Sequence, residues 1–275
     1  MTVALSLVAA FVWTLLNYKL VPLTRTADPS MASLVMLVGN GIVTLPLALA
    51  IDGVPGRADL GPLALATLAG VFEAGGFLCF FRALKHGDLA VVAPIIGLEG
   101  GIAAIAVFAF GERVGALVIA GLVIALVGGC LAASAGGRRT VAGAAPAFGA
   151  AVCFGTMFAL YAGAYELGPV SVVAAGRFSA LALLGGLVVR RGVPLPTRAV
   201  TVRLLALGTL DAAAFVAYAV AADRGPVSVA AVVAGQFSTL SAVTGIVLLR
   251  ERLRPHQYVG IFLAGAGTTL LAFAS

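Results

Sequence analysis

Gly70-Val71-Phe72-Glu73-Ala74 returns 138 residues further on as Gly208-Thr209-Leu210-Asp211-Ala212. The same step carries Phe77 to Phe215, Gly87 to Gly225, Val91 to Val229, Ala93 to Ala231 and Gly97 to Gly235. After one inserted residue the step is 139. Glu112-Arg113 then falls on Glu251-Arg252, Gly121 on Gly260 and Gly128 on Gly267. The carboxyl half thus repeats the amino half, and each copy sets an acid at the same place in an apolar run.

Around these two stretches lie ten apolar runs near the length a helix needs to cross a bilayer, about 20 residues. They are 3–20, 31–51, 60–81, 89–110, 116–133, 144–165, 171–189, 204–222, 227–249 and 258–273. Five fall in each copy, so residues 1–137 and 143–275 are the expected repeats. An odd number of spans per copy makes the copies cross the membrane in opposite directions. The expected fold is an all-α membrane protein of ten transmembrane helices in two inverted five-helix repeats, a plan in which substrate binds near the midplane between the halves.

Composition supports the class. Hydrophobic residues make up 61% of the chain and charged residues 10%, against about 25% charged in a soluble domain; mean hydropathy is +1.13. The 35 glycines suit helices that pack closely on small residues. The longest connections, 133–144 and 189–204, are too short for a soluble domain. The first span has no clear small-residue cleavage site after it and reads as retained. Ala135-Gly136-Gly137-Arg138-Arg139-Thr140 reads as a solvated turn between the copies. A multi-pass protein of the cell membrane, plasma or bacterial inner, is expected.

The net charge of +6 does not point to nucleic acid, because the basic residues form no stripe. They stand at the ends of spans, where they anchor helices and set orientation. The loops after spans 1, 3, 5, 7 and 9 hold 13 of the 17 Lys and Arg residues; those after spans 2, 4, 6 and 8 hold three. By the positive-inside rule the odd-numbered loops are cytoplasmic and both termini lie outside. Cys79, Cys130 and Cys153 fall within spans, in no metal or C-x-x-C spacing, and read as packing residues. His86 and His256 lie at span ends. The chain holds no metalloprotease, nucleophile-elbow, phosphate-loop or dinucleotide motif, so neither an enzyme nor a cofactor is expected.

The informative residues are the ionisable ones inside spans. A charge at the centre of a membrane helix costs about 2.5–3.5 kcal/mol, so such residues face a cavity or a partner. Glu73 lies midway along span 3 and Asp211 in the matching place on span 8. Glu99 lies midway along span 4, in Gly97-Leu98-Glu99-Gly100-Gly101, and Arg177 a third of the way along span 7. Each has a bland role open to it. The acids can hold helices together as protonated hydrogen-bond donors. Arg177 is about 10 Å from the span end at 1.5 Å per residue, within partial reach of snorkelling, or can form a static ion pair. Three acids face one arginine, however, so at most one is neutralised one-to-one. The others take up a proton, since burial disfavours the charged form, or are balanced by a cation, and such acids can couple proton movement to substrate movement.

Weaker signals surround these. Trp13 is well inside span 1 and reads as packing or as cavity wall; Gln236, on span 9, is costly to hide and is a second cavity candidate. Asn17, Asn40, Tyr161 and Tyr218 are further polar groups within or ending spans. Pro94 removes a backbone hydrogen bond in span 4 and can kink the helix beside Glu99. The pairs Gly121/Gly128 and Gly260/Gly267 lie seven apart, on one face of spans 5 and 10, and read as close packing.

The ordered set resembles a known family. Ten spans in two copies, Gly111-Glu112-Arg113 and Arg250-Glu251-Arg252 before the fifth span of each, Gly121 and Gly260 after them, Trp13 with Lys19, and Pro169 with Arg177 look like the EamA-like branch of the drug/metabolite transporter superfamily. The resemblance implies a bundle with a central cavity lined from both halves, working by alternating access, and a small-molecule substrate. Members export amino acids, other metabolites or toxic compounds. Two features depart from the pattern. Aligning Pro29 with Pro169 puts Leu37 where the second copy has Arg177, so an arginine the family often shows in span 2 is absent. The family is also drawn with both termini in the cytoplasm, against the charge count.

The expected function is a secondary transporter, an exporter of a small polar metabolite or drug-like compound, with protons as a candidate coupling ion. The substrate or proton site is expected at Glu73, Glu99, Arg177, Asp211, Gln236 and Trp13. A flippase of a lipid or lipid-linked substrate on the same scaffold and a non-transporting membrane subunit or receptor are the alternatives.

Overall fold

The computed structural model describes residues 2–56, 59–100, 102–103, 115–133, 138–224 and 233–274. Among them there is no strand. The helices bounded within the described residues are α1 Thr2–Thr24, α2 Pro29–Ile51, α3 Leu60–His86, α4 Leu89–Ile96, α5 Ala116–Ala133, α6 Arg138–Ala162, α7 Pro169–Arg191, α8 Arg198–Asp223, α9 Phe237–Val247 and α10 Pro255–Ala274. Among the described residues six segments, within α1, α2, α3, α6, α7 and α8, are long and apolar enough to cross a membrane; Ile119–Leu131 and Val233–Val247 are shorter apolar helices. Arg138 to Thr140, expected in a turn, instead open α6. The Gly111-Glu112-Arg113 motif and linker residues 135–137 lie outside the described residues.

The apolar surface faces outward as well as inward. Phe178 is 65% exposed and Phe262 75%, as a lipid-facing surface requires; a soluble monomer seldom presents such a surface. The interior is knit by pairings that survive exchanging each helix for the one five places away. α2 packs on α7, α4 on α9 and α5 on α10; α3 packs on both α6 and α7, and α8 on both α1 and α2. Small residues make the crossings close. A Cβ on Gly128 would overlap the backbone of Ala264, and one on Gly267 the backbone of Ala125. A Cβ on Gly70 would strike the Gly176 carbonyl of α7, and one on Gly208 the Met36 carbonyl of α2. Gly70 and Gly208 stand three residues before Glu73 and Asp211, so both contacts bring an acid against the neighbouring helix.

Two apolar runs that read as continuous are broken at matching places. α4 ends at Ile96 with Gly97 as its cap, Leu98 N–H turns back to the Ile95 carbonyl at 3.2 Å, and helical residues resume at Glu99. In the second copy residues 233–235 are helical, Gln236 is a turn, and α9 starts at Phe237. The breaks meet: a Cβ on Gly97 would lie 2.7 Å from Ser238 Oγ. Residues 104–110 and 225–232 of these runs lie outside the described residues.

The Arg250-Glu251-Arg252 stretch follows α9. Glu251 reaches across to the start of α4, accepting hydrogen bonds from Leu89 N (2.9 Å) and Ala90 N (2.7 Å). These are donors that a helix start leaves without intrahelical partners. Partial burial pushes the Glu251 carboxyl up, against the opposing pull of those two bonds.

Candidate functional site

Arg177 is the centre of the polar interior. Its neighbour Phe178 faces outward while Arg177 itself is fully buried, so it does not snorkel. One guanidinium nitrogen pairs with Glu73 Oε1. Another stands 3.7 Å from Asp211 Oδ2. Nε donates to Asn40 Oδ1 at 3.1 Å, and Asn40 Nδ2 donates to Asp211 Oδ2 at 2.9 Å. Asn40 is therefore oriented by its neighbours, with oxygen towards the cation and nitrogen towards the carboxylate. Trp13 Nε1 donates to the other Asp211 oxygen at 3.1 Å, and Tyr161 OH donates to Glu73 Oε2 at 3.4 Å. Gly176, on α7 beside Arg177, leaves the room that the Tyr161 hydroxyl occupies.

Six helices supply this network: α1, α2, α3, α7 and α8, and α6 through Tyr161. The guanidinium also lies against two rings, 4.5 Å from the Phe215 centroid and 5.6 Å from that of Phe77. These two rings stand four residues after Asp211 and Glu73, one helical turn on, so acid and ring share a face in both copies.

Beside the network is a cavity with about 560 Å³ of empty space, its open mouth included. It is lined from both halves. Trp13 of α1, Phe77 and Phe80 of α3, and Phe154 and Phe158 of α6 form much of its wall. Phe215 of α8 and Phe237 of α9 continue it. The rings brace one another: Trp13 meets Phe215 edge-on at 5.2 Å and Phe237 at 5.7 Å. Two carboxylates, Asp211 and Glu99, reach the lining; Asn17 lines it too and donates to Ser241 of α9 at 3.0 Å.

Of the six residues expected at a site, the structure brings Trp13, Glu73, Arg177 and Asp211 into one bonded cluster. Glu99 joins Trp13 and Asp211 at the cavity but not in the cluster. No described residue hydrogen-bonds or ion-pairs with the Glu99 side chain. Gln236 is not among the lining residues and donates to Thr269 Oγ1 of α10 at 3.0 Å. Sequence reasoning passed over Asn40 as a minor polar group and missed most of the aromatic wall. The recurrence of Phe77 as Phe215, one turn after each acid, is the signal that could have found it. Among the described residues no group of three His, Cys, Asp or Glu side chains could hold a metal ion.

The arrangement supports charge balancing. With both acids ionised, the Glu73–Arg177–Asp211 cluster carries a net −1, and Glu99 adds a further carboxylate at the cavity. The cluster can take a proton or face a cation.

The model of the EamA-like transporter family matches the chain twice, over residues 1–134 and 141–273. No curated protein matches. One solved crystal structure of a protein superposes with a TM-score of 0.68 at 19% identity, over 98% of this chain and 95% of that one; this likeness concerns the fold.

Proposed function

Since the chain belongs to the EamA-like transporter family, of the drug/metabolite transporter type, we propose that it is a secondary transporter that exports a small polar metabolite or drug-like compound by alternating access. In this reading it crosses the plasma or bacterial inner membrane ten times as two inverted repeats, with residues 89–110 and 227–249 as spans interrupted at Gly97-Leu98 and Gln236. Broken helices that meet between repeats are where secondary transporters hold substrate.

The observation that carries the reading is the cavity lined from both halves, with Asp211 and Glu99 at its wall and Arg177 held between Glu73 and Asp211 behind it. The excess of carboxylates over guanidinium motivates proton coupling: one acid takes up a proton in part of the cycle and gives it up in another.

Purified protein reconstituted into vesicles with an internal pH dye tests this. Amines, amino acids and nucleosides are supplied outside, and substrate flux and proton flux are both read. We expect a substrate whose movement drives proton movement, with Glu99→Gln and Asp211→Asn changing the rate or its pH dependence. If both variants match the parent from about pH 5 to pH 8, where carboxyls held off their ordinary values would show, the coupling is wrong. If no compound class moves, transport is wrong.

A further inference from the structure

The chemistry of the cavity wall selects among substrates. Among the described residues seven aromatic rings line it and no lining residue is basic. The buried cation Arg177 lies against the Phe77 and Phe215 rings and is already matched by Glu73 and Asp211. The nitrogen donors of the lining are also engaged: Trp13 Nε1 on Asp211, and Asn17 Nδ2 on Ser241. An anionic or carboxylate-bearing ligand would therefore meet carboxylates and ring faces and find few donors. A neutral apolar ligand would suit the rings but would enclose the Glu99 carboxyl without a hydrogen-bond or charge partner, which is unfavourable even for the neutral acid.

An organic cation with an aromatic or apolar body satisfies all these features together. Ring faces attract cations, and more strongly where water is excluded. The body covers the aromatic wall, and the charge sits at the one lining carboxylate that no described residue pairs. We infer that the cavity binds lipophilic organic cations, with Glu99 as the counter-charge and the Trp13–Phe215–Phe237 cluster as the aromatic platform. This rests on the transporter reading above and names its substrate class. Asp211, held by Trp13, Asn40 and Arg177, sets the negative field of the site; Glu99 makes the direct contact.

The chain holds a single tryptophan, and it lines the cavity, so its fluorescence reports occupancy without a label. The probes are benzyltrimethylammonium, its neutral isostere neopentylbenzene, and the anionic benzylsulfonate. They are titrated into the full-length protein in detergent. The expected result is a saturable change with the cation, with a Kd at least tenfold tighter than for either counterpart. Glu99→Gln should raise the cation Kd at least tenfold, about 1.4 kcal/mol, and Glu99→Asp, which keeps the charge, should restore part of it. The comparison of the three probes on the parent protein needs no variant and stands even if Glu99→Gln fails to fold. Equal binding of cation and anion, no saturable binding of the cation, or unchanged cation affinity in a folded Glu99→Gln protein would each overturn the inference. A flux arm in vesicles separates this from the reading it rests on. Cation binding without cation flux upholds the site and sinks transport, whereas flux of benzylsulfonate but not of the cation upholds transport and sinks the site.

Discussion

Glu73 and Asp211 occupy one position in the two copies and live in different surroundings. Glu73 is fully buried and pairs with Arg177 on α7, the helix that Gly70 brings close. Asp211 reaches the cavity, and the helix that Gly208 brings close, α2, has Leu37 at the matching place. Asp211 is therefore held by Asn40 and Trp13 and only at 3.7 Å by the same arginine. One guanidinium thus serves two acids that duplication placed symmetrically. The asymmetry separates an acid buried in an ion pair from one that reaches the cavity wall.

The largest expected effect breaks the pair itself. Arg177→Met leaves Glu73 buried without its partner, and breaking a buried pair from one side costs about 3–5 kcal/mol. We expect loss of the monodisperse protein, or a strongly lowered melting midpoint in detergent. Glu73→Gln added to Arg177→Met should recover most of that loss, and Asp211→Asn added to it much less. Equal rescue by the two would mean that Arg177 is shared evenly and the contrast between the acids is false.

The next effect separates the acids by function. Hydrogen bonds to a charged group are worth about 1.5–3 kcal/mol. Asp211→Asn should lower substrate kcat/KM by roughly 10- to 100-fold on that scale, with only a modest change in melting midpoint. Glu73→Gln should do the reverse, lowering the midpoint while leaving flux within a few-fold. The proteoliposome assay and a melting curve on the same preparations check both. If Glu73→Gln loses flux and Asp211→Asn does not, the roles assigned from burial are exchanged.

Much of this contrast is legible in the amino-acid sequence. The acids stand out because charge inside an apolar run is costly, and their shared place shows because the flanking Gly70/Gly208 and Phe77/Phe215 repeat with them. The absence of a second arginine is visible at Leu37. Three things are not visible. Asn40 looks like any polar residue in a span, because its role depends on Arg177 arriving from a helix 137 residues away. Pro94 hints at a kink in span 4, but the place of the break at Gly97-Leu98 and the matching break at Gln236 are hidden in apolar runs, because they form where α4 meets α9 rather than from local propensity alone. Gln236 looks like a cavity residue because burying an amide is costly, and that cost is met instead by Thr269 on α10.

The same pair of helices, α2 and α7, differ in how they start. α2 is capped from within: Asp28 Oδ1 accepts from Ser30 N at 2.9 Å. α7 has Gly168 in the cap position, with φ +92°. Its first donors go to Asp52 at the far end of α2, from Val170 N at 3.0 Å and Ser171 N at 2.7 Å. A Cβ on Gly168 would overlap the Asp52 carboxylate. Gly168→Ala should therefore cost about 1–3 kcal/mol, from a left-handed backbone that only glycine adopts freely and from displacing the cap. Asp52→Ala should lose the cap alone, about 0.5–2 kcal/mol. Melting midpoints of the two variants sharpen the comparison. If Gly168→Ala is no worse than Asp52→Ala, the backbone is not strained there.

The smallest effect concerns the local cap. Asp28→Ala removes the Ser30 bond, for a loss of about 1 kcal/mol, and the loss should depend on pH. Partial burial works against ionisation of Asp28. The hydrogen bonds from Ser30 and Met31 and the nearby Lys85 together outweigh it, so the carboxyl is held below its ordinary 3.8. An acid with a lowered value in the folded state binds fewer protons there than when unfolded. Its contribution is then full above about pH 4 and is lost as pH falls through the folded value. The gap in melting midpoint between the parent and Asp28→Ala should accordingly be constant from pH 7 to pH 5 and narrow below pH 4. The matching experiment on α7, Asp52→Ala, measures the same kind of cap supplied from another helix. A parent–Asp28→Ala gap that widens as pH falls would mean that Asp28 acts in its protonated form, and that the two helix starts differ in chemistry as well as in where the cap comes from.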